Sequence, residues 1–234
     1  MVDIYRKANC RNIHNNWKVF ILVRKIPLQM EMMGCFFKIR CVKISVIDIL
    51  SISRRTGEKM SMRAAIVVGA TGLTGSALVE QLCENDEYIS VTVIARRKLT
   101  YTHPKLEVKI RDFDRIEEND IGFAHELYCC LGTTIKKAGS REMFEKVDFE
   151  YPLAIASLAK KRGIPHFLVI TAMGANENSP FYYNQVKGKL ERDLEELGLQ
   201  RLSIIRPSLL VGNRDEFRLG EKAGEKLLKL AQPL

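Results

Sequence analysis

Histidine is scarce in this chain, four in 234 residues, and the four stand far apart. The six cysteines, Cys10, Cys35, Cys41, Cys83, Cys129 and Cys130, likewise fall at no spacing that suits zinc. The sequence therefore offers no metal centre. Adjacent Cys129 and Cys130 lie in an apolar, strand-like run, where cysteine serves as a small hydrophobe, and reduced thiols in a cytoplasmic protein are expected. No apolar run approaches the ~20 residues needed to cross a bilayer, and no longer apolar region followed by small residues marks a signal peptide. Repeats, low-complexity tracts and a clear interdomain linker are also missing. What is present is a globular composition, 46% hydrophobic and 28% charged, in a chain long enough for one sizeable core and an appendage.

The net charge of +9 is unevenly placed. Residues 1–59 hold 12 Lys+Arg against 4 Asp+Glu, whereas the rest holds 25 against 24. A nucleic-acid reading would rest on that leader alone. Residues 1–61 mix basic side chains with short apolar runs such as Val19 to Val23, without glycine turns or a helical stripe. Two readings of them stand: a basic arm that touches membranes or nucleic acid, or a disordered or foreign stretch upstream of a misplaced translation start. The second is favoured, because Gly57-Glu58-Lys59-Met60 could be encoded by a purine-rich stretch like a bacterial ribosome-binding site. Met60 or Met62 then becomes the start, and residues 62–234 form the domain.

That domain opens on its most informative feature. A strand-like run, Arg63-Ala64-Ala65-Ile66-Val67-Val68, leads through Gly69-Ala70-Thr71-Gly72-Leu73-Thr74-Gly75 into the helical pattern Ser76 to Leu82. Gly69 permits the tight turn, Gly72 lets the backbone approach a pyrophosphate, and Gly75 lets the helix pack on the strand. Free amides of this turn, from Thr71 through Leu73 and Thr74, and the positive helix end then face an anion. Strand and helix signals alternate from here on. Strands are expected at 63–68, 90–95, 106–110, 126–130, 166–170 and 202–205. Helices are expected at 75–84, 151–162 (closed by Gly163), 182–197 (closed by Gly198) and 216–230. This is an α/β pattern: a Rossmann-type, doubly wound parallel sheet covered on both faces. Ligands of such sheets sit beyond the carboxyl ends of the strands, which directs attention to the loops starting at 69, 95, 111, 131, 171 and 206.

The loop after the second strand carries Arg96, Arg97 and Lys98, with no carboxylate between Ser90 and His103. An acidic residue would bond free ribose hydroxyls, whereas arginine meets a 2′-phosphate. NADP is therefore the expected coenzyme, ahead of NAD. Asp112, after the third strand, either reaches the adenine amino group or forms a solvated turn with Asp114. Leu131-Gly132-Thr133 closes the fourth strand, and its small glycine would let the coenzyme lie against the backbone.

Tyr183 and Lys187 stand four apart and share a helix face, where the ammonium favours the phenolate. Tyr182 has no lysine at that offset. With the glycine turn and the fifth strand before them, they make the chain resemble the short-chain dehydrogenase/reductase superfamily in its atypical or extended branch. The run Leu131 to Ser140, the Val147-Asp148 segment and Gly188 make it similar to the Tat-interacting-protein-like oxidoreductases and their bacterial relatives. The resemblance covers about residues 63–218. It implies a Rossmann fold, bound NADP(H) and carbonyl reduction, with Tyr183 as general acid and Lys187 bonding the nicotinamide ribose. A serine after the fifth strand would assist the carbonyl. Thr171-Ala172 stands there instead, so Thr171 keeps a hydroxyl while position 172 has none. Relatives also carry a further strand and helices where this chain stops at Leu234, so a truncated C-terminus is expected.

Two functions follow. One is an NADP-dependent reductase of an unidentified carbonyl compound, for which Tyr183 and Lys187 speak. The other is a non-catalytic NADP(H)-sensing regulator or scaffold, which Thr171-Ala172 and the short end favour. A membrane partner is not expected, nor, on the domain's balanced charge, is nucleic acid.

Overall fold

In the computed structural model, residues 62–207 are described in full, together with the backbone of four earlier strands. Those four are β1 (Val2–Ala8), β2 (Phe20–Val23), β3 (Ile26–Met33) and β4 (Phe36–Cys41). The domain proper supplies β5 (Arg63–Val68), β6 (Tyr88–Ala95), β7 (Leu106–Ile110), β8 (Glu126–Cys129), β9 (His166–Ile170) and β10 (Arg201–Arg206). Its helices are α1 (Leu73–Glu84), α2 (Ile135–Ala138), α3 (Arg141–Glu145), α4 (Tyr151–Lys161) and α5 (Tyr182–Glu196).

Six strands pair in parallel in the order β10-β9-β8-β5-β6-β7. This is the doubly wound arrangement, in which the strand order reverses between β5 and β8. Side chains alternate across the sheet. Ala65, Val67, Val91, Val93, Tyr128 and Leu168 pack with Leu78, Val79 and Leu82 of α1. Ile66, Val68, Ile94, Leu127, Phe167 and Val169 pack with Ile155 and Ala159 of α4 and Leu190 and Leu194 of α5. A strand covered on both faces reads as a continuous apolar run, which is why Ala64 to Val68 could be recognised without periodicity. Gly163 and Gly198 follow the ends of α4 and α5 at φ 68° and 67°, the left-handed conformation that stops a helix.

The strands in the first part of the chain run antiparallel to one another, and β1 pairs antiparallel with β10. The sequence pattern of the leader did not announce them. The expected helix at 216–230 lies outside the described residues. Between β8 and α4 the structure adds what the sequence reading omitted: α2, α3, and a widened helical turn over Lys146–Glu150. The widened turn has a local cause. Pro152 has no N–H to give the Asp148 carbonyl, and its ring crowds that oxygen. The helix opens by one residue instead, and the Tyr151 amide bonds the Lys146 carbonyl.

Candidate functional site

The glycine turn lies at the carboxyl end of β5, beside the point where the strand order reverses. Gly69 has φ 82°, and a Cβ there would fall 2.5 Å from the Cys130 carbonyl carbon and oxygen. The end of β5 can therefore touch the end of β8 only through glycine. At Gly75 a Cβ would fall 2.3 Å from the Gly69 carbonyl oxygen, so the first turn of α1 rests on the turn's backbone. Gly72 differs. It is the N-cap of α1, at φ −88° and ψ 166°, with no side-chain cap, and a Cβ there meets nothing closer than the Gly69 oxygen at 3.4 Å. Its backbone suits any residue, and Thr71 and Gly72 are exposed. The leading amides of α1, Leu73 to Gly75, have no acceptor within their own helix. The turn thus fits a dinucleotide's pyrophosphate: two glycines are consumed by backbone contact and the third is left facing outward.

Around this turn the predicted residues are placed as follows. Arg96, Arg97 and Lys98 leave the end of β6 and are exposed. Asp112 accepts the Asp114 amide at 3.1 Å and caps the short turn Phe113–Arg115. Asp114 is drawn aside by Lys146 at 2.7 Å and by the Tyr151 hydroxyl at 2.8 Å. Those two hydrogen bonds hold the Asp114 carboxyl below the usual range. Leu131, Gly132 and Thr133 follow β8; Gly132 is exposed and its neighbours are half-buried.

Tyr183 lies on the first turn of α5, half-buried, with its ring 5.5 Å from that of Phe144 on α3. Lys187, one turn on, is 2% exposed. Its Nζ lies 2.8 Å from Oδ1 of Asp148, in the widened turn. Asp148 is 0% exposed, and its Oδ2 accepts the Thr133 amide at 2.7 Å. Burial works against the Lys187 charge, but the Asp148 carboxylate and the Tyr183 phenol outweigh it and hold Lys187 above its ordinary value. Neighbouring Cys129 is pushed up to about 12, chiefly by burial, so it remains a thiol. Thr171 is buried, donates to the Ile205 carbonyl at 3.4 Å and has the Glu191 carboxylate as a further partner. Its hydroxyl is therefore held within the fold.

The sequence marks Asp148 only through the family resemblance and does not single out Phe144. A signal was available: Phe144, Asp148, Tyr151 and Ile155 recur at helical spacing and are all buried, with one carboxylate in an otherwise apolar stripe. Gly188 also gains a cause. A Cβ there would lie 2.2 Å from the Asn176 carbonyl carbon and the Glu177 amide, so it admits the loop that crosses α5. Among the described residues no group of His, Cys, Asp or Glu could hold a metal.

Comparison with known proteins agrees with this geometry. A family model described as NAD(P)H-binding matches residues 69–227. Protein HTATIP2 of Rattus norvegicus is 39% identical over 173 residues, 72% of this chain and 71% of that protein. Protein FMP52, mitochondrial, of Eremothecium gossypii is 34% identical over 157 residues, 67% of this chain and 70% of that protein. Among solved structures, MoeE5 with UDP-glucose and NAD superposes at TM-score 0.51 and 16% identity, covering 60% of this chain and 52% of that one. The Bordetella bronchiseptica enzyme WbmG with NAD gives 0.50 and 16%, covering 62% and 52%. At that identity the likeness shows the fold alone, and the chain spans about half of those two proteins. With the glycine turn, the strand order and the matched family together, the chain belongs to the NAD(P)H-binding family, in the atypical short-chain dehydrogenase/reductase branch.

Proposed function

We propose that the chain binds NADP(H) across the β5/β8 crevice and reduces a small carbonyl compound. The observation that carries this reading is Lys187: a buried, charged ammonium one helical turn from Tyr183, beside the loop that follows β8. The coenzyme, when bound, supplies the hydride. Gly69, Thr71, Gly72, Leu73, Thr74 and Gly75 bind its pyrophosphate through their backbone, Arg96 and Arg97 its 2′-phosphate, and Leu131 to Thr133 flank it. Asp112 contributes at the adenine end. Lys187 bonds the nicotinamide ribose one turn along α5 from Tyr183, and Tyr183, as general acid, gives its proton to the carbonyl oxygen. Thr171, directly after β9, is the hydroxyl that would assist the carbonyl. The thiols Cys83, Cys129 and Cys130 are free, which fits a reducing setting.

A second reading, a non-catalytic NADP(H) sensor or scaffold, is favoured by one observation. The Thr171 hydroxyl already has protein partners and Ala172 has none to offer. An NADPH-oxidation screen over aldehydes, ketones and quinones decides between the two. Reduction of some carbonyl, lowered about 100-fold or more by Tyr183→Phe, supports the reductase. Tight NADPH binding without turnover supports the sensor.

A further inference from the structure

The buried carboxylate of Asp148 has no place in the scheme above, yet it touches two of that scheme's parts. Oδ1 faces the Lys187 ammonium at 2.8 Å and Oδ2 takes the Thr133 amide at 2.7 Å. Neither charged side chain of the pair is more than 3% exposed. A carboxylate in such a place is costly unless it is paired; here Oδ2 is hydrogen-bonded by the Thr133 amide, while Oδ1 makes no hydrogen bond and is met by the Lys187 charge alone. The widened turn is what brings it there. A regular helix through Pro152 would set the Asp148 carbonyl against the proline ring, and the opened turn puts Asp148 inward between β8's loop and α5. Gly132 lies against the pair, with room for a side chain at ordinary contact distance. A Cβ on it would come within 3.5 Å of Asp148 Oδ1 and 3.9 Å of Lys187 Nζ.

We propose that Asp148 is the positioning residue of this site, a clamp that fixes the Lys187 ammonium and the loop after β8 as one unit for the coenzyme. The inference rests on the coenzyme reading and adds to it the group that aims the lysine. The charged or titratable groups acting on Lys187 are Asp148 from the widened turn, Tyr183 from its own helix and Cys129 from β8. Of these, Asp148 is the counter-charge.

Asp148→Asn tests it, because the amide keeps the shape and can still accept from Thr133 while the charge is lost. Two readouts are needed, one of them independent of coenzyme. Without its partner the folded Lys187 titrates below an unfolded lysine, so the unfolded chain binds the additional proton and the variant gains stability as pH rises. The Tm gap to wild type therefore narrows between pH 7 and pH 10, and the double variant Asp148→Asn/Lys187→Met shows no such slope. If the single variant is unfolded at pH 7, the comparison starts at pH 9, where a neutral lysine is tolerated. The second readout is NADPH affinity by fluorescence titration. The clamp predicts binding about tenfold weaker in Asp148→Asn, the scale of one charged hydrogen bond, and weakening further with pH while wild type stays flat. A narrowing Tm gap with unchanged NADPH affinity makes the pair merely structural and overturns the clamp, leaving the coenzyme reading intact. A constant Tm gap overturns the pairing itself. No NADPH binding by folded wild type overturns both readings.

Discussion

A methyl group at position 75 would lie 2.3 Å from the Gly69 carbonyl oxygen, whereas one at position 72 would meet that oxygen at 3.4 Å. Two glycines of the turn are thus required by the fold, Gly69 by β8 and Gly75 by the turn itself, whereas no neighbour within the chain requires Gly72. The residues after β6 decide a different question. Arg96 and Arg97 are exposed and carry no structural duty in the core, so their chemistry is available to a 2′-phosphate. Arg96→Asp is expected to leave Tm unchanged and to weaken NADPH about tenfold or more while NADH binding holds or improves. Equal affinities of wild type for the two coenzymes would contradict this assignment.

The elements differ in how far the sequence announced them. The continuous apolar run of β5 and the glycine stops after α4 and α5 were readable, because burial on both faces and left-handed backbone each leave a local mark. The segment between β8 and α4 was not. Its helices α2 and α3 are short, and each is fixed by a side-chain cap, Thr134 on the Lys137 amide and Ser140 on the Met143 amide. The widened turn depends on Pro152 read four residues back, a relation that a period-based reading passes over. The same is true of the loop before α5, whose path across that helix depends on Gly188. Gly188→Ala would drive its methyl into the Asn176–Glu177 backbone, 2.2 Å away. It is expected to destabilise the domain by about 1–3 kcal/mol, read as a lowered Tm. An unchanged Tm would mean that the loop lifts freely and is not held by this contact.

At the scale of the molecule, the strand order β10-β9-β8-β5-β6-β7 brings the loops after β5, β6, β8 and β9 to one edge. The sequence could place those loops because alternating strands and helices admit few topologies. It could not show that the Thr171 hydroxyl turns into the fold toward Ile205, or that Lys187 is paired with a carboxylate from another element. Both are contacts between segments far apart in the chain, and no local pattern encodes them. Among the described residues no helix is long and apolar enough to cross a membrane.

The measurement closest to the central claim is calorimetric titration of NADPH into the wild-type chain and into Gly72→Ala, with Tm recorded for both. The fold has room for an alanine at position 72, so Tm should fall only slightly, by the cost of an alanine in place of glycine at the N-cap of α1. Wild type should bind one NADPH per chain, and the variant should lose about tenfold or more in affinity because its methyl occupies the pyrophosphate's approach. Absence of heat with folded wild type, or equal affinity in the two proteins, would contradict a dinucleotide seated on this turn.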